Sequence, residues 1–182
     1  MASFVWSYLN TLAALAVTFV GFSSLVIVLR QAMGGEMSKL DILITRTFIQ
    51  VGFLVAAGAM LPGLLSLFHL EEPSVWRVSS AVTALPVVLF AVTYPARRDA
   101  VSEVRTPIAI WIDVLVMLGF GLLLGCNALG VLVPTGPGPY TAALTGVLFV
   151  SGWAYLQALN TLIKHHRRAA DREREPQPSE QE

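Results

Sequence analysis

Five long apolar stretches constrain what this chain can fold into, because each is long enough to cross a membrane as a helix. A helix needs about 20 mostly apolar residues to span the hydrocarbon core of a bilayer. The stretches cover residues 5–29, 42–70, 74–94, 108–133 and 140–163. We therefore predict an all-α polytopic integral membrane protein, with a bundle of five transmembrane helices within residues 1–163.

The overall composition favours the same class of protein. Hydrophobic residues make up 55% of the chain and charged residues 13%, whereas soluble domains carry about 25% charged residues. The formal net charge is zero, so the overall charge predicts no nucleic-acid partner.

The distribution of basic residues along the chain predicts how it is oriented in the membrane. All but one of the 12 Lys and Arg residues lie in or beside the segments that follow the first, third and fifth stretches; the exception is Arg77. Five spans place these segments on one side, and four or six would separate them. Because cytoplasmic segments are rich in Lys and Arg, we predict an outside N-terminus and a cytoplasmic tail over 164–182, basic at first and then disordered.

The same basic residues indicate the membrane and one kind of partner. Arginine is far more frequent than lysine, and together with many Ala, Gly, Leu and Val residues this indicates a GC-rich bacterial genome. We therefore expect a multi-pass protein of the bacterial inner membrane. Basic segments at the cytoplasmic face are expected to contact anionic lipid headgroups.

Arg46 and Asp113 are charged residues at matching depths within two of the predicted spans. Each lies five residues beyond a span boundary, Arg46 after Asp41 and Asp113 after Ile108, which places both about 7–8 Å along their helices. This equal depth permits an ion pair, and Gln50 extends the polar track one turn deeper. The three residues form a candidate intramembrane polar site that either holds helices together, handles protons or ions, or lies at the headgroup level.

Small residues on the fourth span predict a helix-packing face. Gly121 and Gly125 form a Gly-x-x-x-Gly motif, and small residues allow helix backbones to approach closely. The motif fits packing within one chain, with homodimerisation as the alternative.

Four further uncharged polar residues lie within the spans: Asn127, Gln157, Asn160 and Thr18. Each is expected to form a hydrogen bond between helices.

No pattern in the sequence predicts a cofactor, a metal or a catalytic group. Cys126 is the only cysteine, which excludes an internal disulfide. His69 lies at the opposite side of the membrane from His165 and His166, so a haem held by two histidines of one chain is not expected. Phosphate-binding glycine loops and hydrolase motifs are absent from the sequence.

These observations predict a non-catalytic membrane protein. The leading hypothesis is an interaction or accessory subunit, whose partner is a second copy of the chain or another membrane protein. The alternative is a small channel or permease with a polar site at Arg46, Gln50 and Asp113, open to the cytoplasmic side.

Overall fold

The chain folds into long α-helices that follow the predicted apolar stretches. The computed structural model describes residues 2–32, 39–102 and 107–174. Within these residues there are five helices and no strand: α1 Ala2–Ala32, α2 Lys39–Ser66, α3 Glu72–Asp99, α4 Ile108–Leu129 and α5 Pro137–Arg174. Arg105 and the end of the tail predicted to be disordered, residues 175–182, lie outside the described residues.

Four of the described helices, α1 to α4, are long and apolar enough to cross a membrane. This confirms the predicted all-helical fold in the described residues and supports its assignment as a membrane protein. The helix α5 is the longest described, at 38 residues, which corresponds to about 57 Å along its axis.

The helix ends differ from the predicted span boundaries where turns intervene. The helix α4 stops at Leu129 rather than at residue 133, because Gly130 adopts a left-handed conformation with φ of 69°, which favours glycine and ends helices. The helix α5 already begins at Pro137, since proline is tolerated in the first helical turn. The helix α3 continues through Pro95 to Asp99.

The helices pack in chain order, each against the next one along the chain, and α1 also contacts α5. The helix α5 also contacts α2 and α3, so it touches all four other helices, whereas α2 and α4 make no contact within the described residues. The starts of α1, α3 and α5 share one end of the bundle, here called the Trp6 end; the starts of α2 and α4 define the Lys39 end.

Candidate functional site

One face of α5 supplies the centre of the buried core. Its buried residues recur at intervals of one helical turn, as expected for a helix packed on several neighbours. The fully or nearly fully buried members are Tyr140, Ala143, Leu144, Val147, Ser151 and Tyr155. The polar residues at the start of this face are therefore held deep within the protein.

Tyr140 connects three helices through its hydroxyl group. The side chain is 0% exposed, and its hydroxyl donates a 2.6 Å hydrogen bond to the backbone oxygen of Gly58 in α2. The Thr83 hydroxyl of α3 lies 3.1 Å from the same oxygen atom. Because Tyr140 donates its only hydroxyl proton to the backbone oxygen of Gly58, the Thr83 hydroxyl is the donor in its bond to Tyr140. The hydroxyl of Tyr140 thus joins α5 to both α2 and α3.

Asn127 joins α3, α4 and the segment that leads into α5. Its amide nitrogen donates to the Ser80 hydroxyl at 2.8 Å and to the Gly136 backbone oxygen at 3.1 Å. Its amide oxygen accepts the Gly136 backbone N–H at 2.9 Å. The backbone oxygen of Asn127 accepts a bond from the Thr135 hydroxyl. The interhelical hydrogen bond expected for Asn127 is therefore present, and it forms part of a larger clamp.

Aromatic rings cover this polar cluster at the Trp6 end. The ring of Trp76 stacks on Trp6 with centroids 5.9 Å apart and lies 5.8 Å from the ring of Tyr140. The indole nitrogen of Trp76 and the hydroxyl of Ser79 are buried without a hydrogen-bond partner among the described residues. The hydroxyls of Tyr140, Thr83 and Ser80 each take part in a hydrogen bond between helices.

A second aromatic cluster occupies the part of the core nearer the Lys39 end. The ring of Tyr155 packs edge-on against Phe48 of α2 and Phe19 of α1, with centroids 4.8 Å and 5.7 Å apart. Edge-to-face rings of this kind stabilise aromatic contacts beyond the area they bury. The contacts of α5 with α1 and α2 at this level are therefore mainly apolar.

The structure does not bring Arg46 and Gln50 together with Asp113. Arg46 and Gln50 are exposed on the outer side of α2, and Asp113 is half-buried on α4. The helices α2 and α4 are not in contact within the described residues. Equal depth therefore does not make Arg46 and Asp113 neighbours, and no ion pair joins them in the described part of the chain.

The helix α4, which carries Asp113, packs instead against α3. Arg98, near the end of α3, is buried. Arg98 is one of the basic residues whose distribution predicts the orientation of the chain in the membrane, and it was not a predicted site residue. Its burial was not evident in the sequence, because it lies in a run of charged residues at the end of α3.

The two glycines of the Gly-x-x-x-Gly motif have different surroundings. A Cβ atom built on Gly121 would lie 2.6 Å from Val88 Cγ2 of α3, whereas one built on Gly125 meets no atom within 4 Å. Gly121 therefore allows α4 to approach α3 within one chain. Gly125 leaves open space beside the helix.

Thr18 differs from its expected role. Its hydroxyl donates to the backbone oxygen of Ala14, one turn earlier in α1, as threonine often does within helices. Among the described residues, no hydrogen bond joins Thr18 to another helix.

The polar core residues Tyr140, Thr83 and Ser80 were not predicted from the sequence. Serine and threonine occur often in membrane helices, where they usually bond to their own backbone. The only signal available was the one-turn spacing of Trp76, Ser80 and Thr83 along α3. That spacing identifies a shared face but not the partner across it.

The chemistry of the described side chains is that of helix packing. No group of three or more His, Cys, Asp or Glu residues lies together within the described residues. Comparisons of the chain with protein-family models, with curated proteins and with solved structures found no match, so its function is inferred from its residues alone.

Proposed function

We propose that this chain is a non-catalytic interaction subunit embedded in a membrane. One observation carries the proposal: the buried groups of Asn127 and Tyr140 are bonded to other helices of the same chain, whereas Arg46 and Gln50 face outward on α2. Buried polar groups that join helices stabilise the fold of the chain itself. Polar groups that face outward from a membrane helix are suited to hydrogen bonds with another molecule in the membrane.

The proposed topology has five spans, an outside N-terminus and a cytoplasmic tail. The contacts of α5 with all four other helices support it as the fifth span. The distribution of Lys and Arg supports the orientation. A helix of about 57 Å is longer than the roughly 40–45 Å of a whole bilayer, so the tail-side end of α5 extends beyond the membrane. The proposed location is the bacterial inner membrane.

Cysteine labelling in intact cells tests this topology. In a Cys126→Ser background, Ser3→Cys is expected to react with a membrane-impermeant maleimide before the inner membrane is opened. Ser179→Cys is expected to react only after it is opened, because positive-inside orientation places the tail in the cytoplasm. The Cys126→Ser protein without added cysteine is the control. Labelling of both sites from outside would contradict five spans.

The proposed partners are anionic lipid headgroups at the basic face and a protein that contacts the outward-facing helices. Headgroup contact follows from the Lys and Arg residues of the cytoplasmic segments. The protein partner is a second copy of the chain or another membrane protein.

The mass of the extracted particle tests the interaction role. After extraction into polymer-bounded lipid discs, native mass spectrometry is expected to detect a complex of fixed composition. Its protein mass should exceed the 19.7 kDa of one chain, because the outward-facing polar groups are expected to be covered by protein. A particle that holds one chain alone at every protein-to-lipid ratio would contradict the role.

The alternative of a small channel or permease has no comparable support. It requires Arg46, Gln50 and Asp113 to line one polar path. The first two lie on the exposed side of α2, and Asp113 lies on α4, which α2 does not contact in the described residues. We therefore propose the interaction role alone.

A further inference from the structure

The carboxamide of Gln50 lies near the middle of a membrane helix and points away from the bundle. The helix α2 runs from Lys39 to Ser66, so Gln50 is about 4 Å from its midpoint. With that midpoint at the bilayer centre, the nearer edge of a hydrocarbon core about 30 Å thick is about 11 Å away. The side chain is exposed, and a glutamine is too short to reach the headgroups from there.

Arg46 has a separate explanation on the same side of α2. It lies one turn nearer the Lys39 end, about 5 Å inside the hydrocarbon boundary by the same reckoning. Its long side chain can extend to the headgroups. Of these two residues, Gln50 is therefore the one that still lacks a polar partner, and a carboxamide that faces lipid without one is strongly disfavoured.

The exposed face around Gln50 has the spacing of a helix-packing seam. Its members recur at alternating steps of four and three residues: Arg46, Gln50, Phe53, Ala57, Met60 and Leu64. This spacing suits a parallel pair of helices that cross at about 20°. Ala57, one heptad after Gln50, allows the two backbones to approach closely.

The exposed face of α4 provides a comparison at similar depth. It has the same spacing but presents only apolar residues and a glycine: Ile108, Ile112, Leu115, Gly119 and Leu122. A face without polar side chains can contact lipid directly. The faces of α2 and α4 therefore share the same spacing, and the polar side chain of Gln50 distinguishes the face of α2.

We infer that a second copy of this chain packs against the exposed face of α2, with Gln50 of each copy hydrogen-bonded to Gln50 of the other. A carboxamide carries both a donor and an acceptor, so two glutamines related by a two-fold axis satisfy each other. The axis runs along the membrane normal and pairs like residues. This inference rests on the proposed interaction role and names its partner.

Disulfide formation between copies locates the contact. In a Cys126→Ser background, Ala57→Cys is expected to form dimers on mild oxidation of native membranes, because the same residue meets itself at the axis. Leu115→Cys on α4 is the matched control, since its side chain is also exposed, at 65%, and it should remain monomeric.

Replacement of Gln50 tests the hydrogen bond at the seam. Gln50→Leu should weaken dimerisation in liposomes, measured by energy transfer between labelled copies, by about tenfold, which is the effect of an interhelical hydrogen bond of 1–2 kcal/mol. Asn10→Leu, which replaces an exposed carboxamide nearer the end of α1, should leave dimerisation unchanged. Dimerisation of Gln50→Leu as tight as that of the natural chain would overturn the inference.

The outcomes separate this inference from the proposed function. Crosslinks at Leu115→Cys but not at Ala57→Cys, or a different protein captured at Ala57→Cys, would overturn the α2 homodimer and leave the interaction role standing. A chain that remains monomeric in lipid at all concentrations would overturn both.

Discussion

Replacement of Asn127 by leucine is expected to lower the free energy of unfolding by about 3–5 kcal/mol, since each buried polar group left without its partner costs about 1–3 kcal/mol. The substitution removes the partner of the Gly136 N–H, of the Gly136 backbone oxygen and of the Ser80 hydroxyl. The Ser80 side chain is 0% exposed and Gly136 is partly buried, so access of compensating water is restricted. Unfolding by SDS, followed through tryptophan fluorescence, measures the loss.

Asn10→Leu is the control for the change of residue type. Asn10 is exposed on α1, so its replacement should change the free energy of unfolding by less than about 0.5 kcal/mol. Equal losses for the two variants would mean that the Asn127 clamp does not hold α4 and α5 together.

Replacement of Gly146 by leucine is expected to destabilise the protein by about 3 kcal/mol, at the upper end of the cost of overpacking. A side chain at this position would overlap the ring of Phe120 on α4. The ring is partly buried against the core, so it has to move or the two helices have to separate. The same SDS titration measures the change.

Two variants distinguish this steric effect from a general intolerance of leucine. Gly125→Leu should be nearly neutral, because no atom lies within 4 Å of a Cβ built there. Phe120→Ala combined with Gly146→Leu should recover at least half of the loss, since the new side chain then fills the space of the removed ring. A double variant no more stable than Gly146→Leu would show that the clash with Phe120 is not the cause.

The helices were predictable from the sequence because apolar length alone identifies a helix that crosses a membrane. Whether Arg46 and Asp113 are neighbours was not predictable, because counting residues along two helices gives their depth in the membrane but not their rotation about the helix axis. The count placed the two charged residues at the same depth in the membrane. Rotation turns Arg46 to the exposed side of α2, and α3 and α5 lie between α2 and α4.

The polar core lay beyond sequence reasoning for a related reason. Ser80, Thr83 and Tyr140 are ordinary residues for their positions in membrane helices. Their contacts span 47 to 82 residues along the chain. Without information on which helices are neighbours, the sequence identifies such groups only as candidates for interhelical hydrogen bonds, as it did for Asn127.

The central position of α5 has a consequence for the order in which the protein is made. Synthesis proceeds from the N-terminus, so the helix that touches all four others is the last of these five to leave the ribosome. Until Tyr140 arrives, the backbone oxygen of Gly58 and the hydroxyl of Thr83 lack their final partner. A chain that ends before residue 137 therefore lacks the helix that contacts all four others, and with it the hydrogen bonds of Tyr140 to α2 and α3.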